Sequence, residues 1–296
     1  MATDDHTALP EGRDIAFLSL GVIGIGTSGP VIALSTMPVP TLIFWRNLGG
    51  ALTMLPFALK RKEWRTQEQR RAILWSCFAG ALLALHFIGF FIAMRFTSVA
   101  AGTALTAMQP VFAAAFLRLR GGVIPHRAWI GMAIAFGSVL LITGVDLHLS
   151  FRSFLGDLAA LVGSALAAGY MLVGAHAQRA ISTSTYTAVC YFFCSLTAFP
   201  MVFMAQYSFT GFPARQWLLL LALIAGAQIL GHTMFNLSLK RVSPAVVSLI
   251  VFFEVPVSAI LAYWWIGQRP SAGTIPGIVG LLIGCAIFVL RSKVAE

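Results

Sequence analysis

At 296 residues, with 58% hydrophobic and only 10% charged residues, the chain lies far outside the soluble range, where about a quarter of residues are charged. This composition excludes a soluble enzyme or binding domain and points to an integral membrane protein. The formal net charge of +10 would suit a nucleic-acid binder, but the positions of the charges argue against one.

A spanning helix needs about 20 mostly apolar residues. Ten stretches qualify, at roughly 14 to 34, 40 to 59, 72 to 94, 98 to 118, 128 to 145, 154 to 177, 184 to 205, 215 to 238, 244 to 265 and 272 to 291. The runs are continuous and do not alternate, which predicts helices rather than a barrel. With ten helices and a cytoplasmic N-terminus, fifteen lysines and arginines fall on the cytoplasmic side. Arg95, Arg152, Arg215 and Arg269 fall on the other, and Arg46 lies inside a span. That asymmetry predicts both termini inside, and it makes the basic excess a topology signal with anionic headgroups as its partner.

Residues 1–13 read as an acidic, polar cytoplasmic tail and not as a signal or transit peptide. The first span carries Gly21, Gly24, Gly26, Gly29 and Pro30, a run suited to close packing or to a helix break beside a cavity. In the second span Arg46 must snorkel, pair or face water, so an anchor and a substrate contact are both open to it. His86, Gly89, Phe90 and Ala93 share a face of the third span. The fourth carries Gln109 followed by Pro110, a kink position and a candidate hinge. Asp14 and Asp157 read as charges at helix N-termini. On the sixth span Gly163, Ala167, Tyr170 and Gly174 put one phenol on a small face.

The eighth span is the most informative. Gln228, His232 and Asn236 recur every four residues, and such a polar stripe cannot face lipid. His86 lies within one residue of the position corresponding to His232. The ninth span holds Glu254, the one acidic residue deep in a span, followed by the second candidate hinge, Pro256. Gly273, Gly277, Gly280 and Gly284 in the tenth span, and Gly131, Ala135 and Ser138 in the fifth, form small-residue faces that predict a tightly packed scaffold pair. Cys77, Cys190, Cys194 and Cys285 all fall inside spans and read as packing residues.

The chain contains one pattern twice. Arg95 to Ala100, a helix with Gln109-Pro110 and an end near Arg118 is echoed by Lys240 to Ala245, a helix with Glu254-Val255-Pro256 and an end near Gly267. Repetition at half the chain length means a duplicated unit. Five helices per unit would invert the second copy in the membrane, giving repeats at 14–145 and 154–291 and a C-terminal tail at 292–296. A site at the midplane between them would combine His86, Phe90, Gln109 and Tyr170 with Gln228, His232, Asn236 and Glu254, aromatic walls with a few polar groups.

Phe44-Trp45-Arg46, the two basic turns with their Gln109-Pro110 and Glu254-Val255-Pro256 helices, and the Trp129-Ile130-Gly131 and Gly277 to Gly284 segments resemble the drug/metabolite transporter superfamily, in its ten-helix EamA-type branch. The resemblance covers essentially the whole chain. Relatives usually carry Gly-Glu after the fourth and ninth helices, where this chain has Gly121-Gly122 and Gly267-Gln268; a gating carboxylate is therefore not carried over. The resemblance implies an all-α membrane fold of two inverted five-helix repeats around a cavity, and export of small metabolites by alternating access. Within the branch the chain looks most like bacterial inner-membrane exporters of aromatic and other amino acids. Exporters of drugs, nucleosides or sugars share the fold and stay open as alternatives. No cofactor, metal site or catalytic residue is expected; the expected partners are a small-molecule substrate and the bilayer, with no nucleic acid, and the duplicated chain is expected to work as a monomer. Two other classes remain. Gly26-Thr27-Ser28-Gly29 matches a Gly-x-Ser-Gly signature of intramembrane serine proteases, with His232 as a conceivable base, and a channel is compatible with duplication.

Overall fold

Glycine and proline placement sets where the helices begin, break and end. The computed structural model describes residues 12–119, 121, 128–235 and 250–292, and among them it is helical throughout apart from short turns. The first span is α1 (Gly12–Gly26) and α2 (Ser28–Leu34), broken at Thr27, whose hydroxyl donates to the Gly24 carbonyl at 2.7 Å. Next come α3 (Val39–Arg61) and α4 (Gln67–Phe96), the latter opened by a capping box between Thr66 and Gln69. The fourth span is again divided, into α5 (Val99–Thr106) and α6 (Gln109–Leu119), and α7 (Ala128–Leu149) completes the first five spans.

The second five begin with α8 (Phe151–Ala177) and α9 (Thr183–Met204). They continue with α10 (Ala214–Ala222), which runs into a π-helical stretch, Leu223–Thr233. The last two are α11 (Glu254–Ile266) and α12 (Thr274–Ser292). Among the described residues eight segments are long and apolar enough to cross a membrane, while Glu254–Ile266 and Thr274–Phe288 are shorter apolar helices. The ninth span expected at 244 to 265 begins outside the described residues. Large apolar side chains such as Leu74, Phe203 and Trp264 are exposed on the outside, as lipid-facing groups are.

Helices from the two sequence halves pack on each other. The main contacts pair α4 with α8 and α9, α3 with α9, α7 with α12 and α1 with the π-helical stretch, and α5 also packs on α11. Glycine permits the closest of these approaches. A Cβ on Gly24 would come within 2.7 Å of the Gly226 oxygen and Gly231 nitrogen, and one on Gly284 within 2.5 Å of the Ala135 nitrogen. The glycines of the first span thus serve close packing and flank a helix break as well. The α7–α12 pair forms the expected tight scaffold.

Asp157 departs from the sequence reading. Because α8 starts at Phe151, Asp157 lies beyond the first turn and is fully buried near Asp146, which accepts from the Thr97 hydroxyl at 2.8 Å. Helix-terminal charge does not describe it.

Candidate functional site

Arg46 is the centre of the site. It lies about two turns into α3 with only 1% of its surface exposed. Its guanidinium carbon sits 4.3 Å from the centre of the Phe87 ring and 5.7 Å from that of Phe91, both on α4, so aromatic faces take the place of water around the cation. Its Nε and Nη1 have no hydrogen-bond partner. Glu254 lies within Coulombic reach, yet no ion pair joins the two among the described residues.

Arg46 borders a cavity of about 10 Å³, lined also by Leu83, Phe87, Tyr170, Tyr191, Gln228 and His232. The wall comes from α3 and α4 on one side and from α8, α9 and the π-helical stretch on the other. At that size the cavity has room for about one water molecule and falls far below the roughly 300 Å³ at which small-molecule sites begin; the chamber is contracted and must widen to admit a small molecule. The π-helical stretch supplies Gln228 and His232. Runs of this kind are rare and frequently occur at functional sites. Gly50 on α3 makes room for the amide: a Cβ there would collide with Gln228 Nε2 and press on the Tyr191 ring.

Of the residues expected from sequence, Tyr170, Gln228 and His232 lie on the cavity wall. His86 and Phe90 stand apart from it. His86 Nδ1 lies 2.9 Å from the Gly163 carbonyl, an acceptor only, so this nitrogen carries the proton and fastens α4 to α8; the ring stacks on Phe90. Gln109 opens α6 and contacts the Met171 sulfur. Asn236 lies outside the described residues. Pro110 and Pro256 fall in the first turns of α6 and α11, just after the breaks at Ala107–Met108 and Phe252–Phe253, so they start helices and do not kink them from within. Ser28 is buried, and no hydrogen bond joins it to His232. Leu83, Phe87 and Tyr191 gave no signal in the sequence, since an aromatic or aliphatic residue in a span reads the same toward lipid, core or cavity.

Bonds join the sequence halves at both ends of the bundle. Gln216 accepts from the Ser35 hydroxyl at 3.1 Å and the Thr36 amide at 3.0 Å. The Trp45 indole donates to the Phe209 carbonyl at 2.7 Å, and the Val99 amide donates to Gln268 at 2.8 Å. Gln268 thereby supplies a carbonyl acceptor at the start of α5, in the position where relatives carry a carboxylate. At the opposite end Glu63 accepts from the Ser182 amide and hydroxyl, at 2.8 and 2.7 Å, and from the Thr185 hydroxyl at 2.6 Å.

The comparisons with known proteins agree with this architecture. A solved crystal structure superposes over 96% of this chain and 99% of its own, with a TM-score of 0.64 at 15% identity, which shows a shared fold. No curated protein matches the sequence. The profile of the EamA-like transporter family matches twice, over residues 14–144 and 154–290, so each copy contributes one wall of the chamber around Arg46. The chain is a multi-pass membrane protein that belongs to the EamA-like transporter family.

Proposed function

We propose that the protein exports small metabolites, namely amino acids with apolar or aromatic side chains, across a bacterial inner membrane by alternating access. The observation that carries this reading is the chamber itself, contracted, buried and walled by both family repeats. Its aromatic rings and few polar groups suit a ligand with an apolar body and a small polar head.

In this reading the repeats are inverted, with ten spans and both termini cytoplasmic. The packing supports an exchange symmetry. Counting spans in order, the first packs on the eighth and the third on the sixth, while the second meets the seventh, the fourth the ninth and the fifth the tenth. Moving every span five places along maps this set onto itself. Two repeats related in this way rock against each other around a fixed site. The cross-repeat bonds of Gln216, Trp45 and Gln268 then tie the repeats at the extracytoplasmic end, and those of Glu63 tie them at the cytoplasmic end.

Counterflow in liposomes tests the proposal, loading vesicles with one unlabelled amino acid at a time and following entry of its labelled form. Saturable, stimulated entry is expected, and it should be lost in Gln228→Ala or His232→Ala protein that still folds. Absence of counterflow for every amino acid would redirect the search to cationic drugs, nucleosides or sugars.

A further inference from the structure

We infer that Arg46 is the substrate-recognition residue of the chamber and that it selects a ligand bearing a single carboxylate on an apolar or aromatic body. This rests on the transport reading above and deepens it. A guanidinium carries five N–H donors in a fixed plane. Leaving them unmatched in a buried site is costly, yet Arg46 is 1% exposed and neither Nε nor Nη1 donates to anything. The Phe87 ring lies against the guanidinium at 4.3 Å. A ring supplies no hydrogen-bond acceptor for these N–H groups, so Nε and Nη1 stay free to donate, and the guanidinium fork is the geometry a carboxylate accepts in two parallel bonds.

Charge narrows the ligand class. Arg46 is the one permanently charged residue on the described chamber wall; its companions are Leu83, Phe87, Tyr170, Tyr191, Gln228 and His232. A carboxylate brings one negative charge and matches it. A phosphate dianion would bring an uncompensated charge into the middle of the membrane. A cationic drug would meet repulsion from a guanidinium that it cannot displace. Glu254 lies within Coulombic reach but not in contact among the described residues, so it leaves the donors unoccupied. Leu83, Phe87, Tyr170 and Tyr191 then enclose the apolar body.

The experiment is equilibrium binding to purified protein in detergent with four probes of one shape: phenylalanine, 3-phenylpropionate, phenylalaninamide and 2-phenylethylamine. Phenylalanine and 3-phenylpropionate are expected to bind, and the two probes without a carboxylate to bind roughly tenfold to hundredfold more weakly. Arg46→Gln should abolish that preference. Arg46→Lys, which keeps the charge but not the planar fork, should retain the preference at lower affinity. An amine that binds as tightly as the carboxylate, a folded Arg46→Gln protein that keeps the preference, or failure of all four probes to bind would overturn the inference. If Arg46→Gln does not fold, the ranking of the four probes on the unmodified protein decides. Counterflow separates this inference from the one beneath it. Carboxylate binding without counterflow of any substrate overturns the transport reading, whereas counterflow of an amine with no carboxylate preference overturns only the role of Arg46.

Discussion

At the scale of single residues, the chamber depends on small side chains as much as on polar ones. Gly50 leaves space that the Gln228 amide fills, against the edge of Tyr191. A methyl group at position 50 has to push both aside. Gly50→Ala is therefore expected to cost about 1–3 kcal/mol of stability, the usual range for overpacking, and to reduce counterflow more than an equally destabilising change on the α7–α12 scaffold. Thermal unfolding in detergent and initial rates, compared with those of Gly277→Ala, would check it. Gln228 and His232 were legible in the sequence because polar groups cannot be left facing lipid. The same logic selected His86, yet its ring is satisfied by the Gly163 carbonyl, and nothing in the sequence separates a histidine that bonds a neighbouring helix from one that faces a cavity. Phe87 and Tyr191 were illegible for the opposite reason, since apolar and aromatic residues are allowed everywhere in a span.

At the scale of elements, Glu63 is the clearest case of a loop residue fastening a helix in the other half. It sits between α3 and α4 and takes three hydrogen bonds from the first turn and N-cap of α9. Burial tends to raise its pKa, but the bonds from Thr185 and Ser182 outweigh that, with help from Arg61, and the carboxyl is held below its ordinary 4.5. A depressed folded-state pKa means that the stabilisation is complete above about 4.5 and is lost as the pH falls through the lower folded value. Glu63→Ala should lower stability by about 1 kcal/mol at neutral pH, as for a lost helix cap. The gap from the unmodified protein should close as the pH falls to about 3, in thermal unfolding followed by circular dichroism. A gap that stays constant across that range would remove the carboxylate from the explanation. The divided fourth and ninth spans were half visible: Pro110 and Pro256 marked the right places, but proline in a first turn begins a helix, so the spans are broken where kinks were expected. The π-helical stretch left no trace in the sequence, because Leu223 to Thr233 reads as an ordinary apolar helix.

At the scale of the whole molecule, the duplication was legible from two copies of a basic turn followed by a polar residue and proline. Of the cross-pairing of the halves only the α7–α12 pair was legible, since the small-residue face on α8 does not name α4 as its partner. The orientation proposed for the bundle can be checked with single cysteines in a cysteine-free background. Ala205→Cys, beyond α9, should react with a membrane-impermeant maleimide added to intact cells. Arg65→Cys, in the loop before α4, should react only after the cells are opened. The reverse pattern would turn the molecule over and put the Gln216 end of the bundle toward the cytoplasm.

The burial of Arg46 also bears on how the chain is made. Of the eight long apolar segments, α3 is the least apolar, and an arginine within a lone helix adds up to about 2.5–3.5 kcal/mol to the cost of entering lipid. The rings that shield it, Phe87 and Phe91, belong to α4 and are synthesised some forty residues later. During biosynthesis α3 therefore stays marginal at the translocon until α4 emerges, and the two helices pass into the bilayer as a hairpin. The cation that waits for a ligand in the finished protein first waits for its own neighbour.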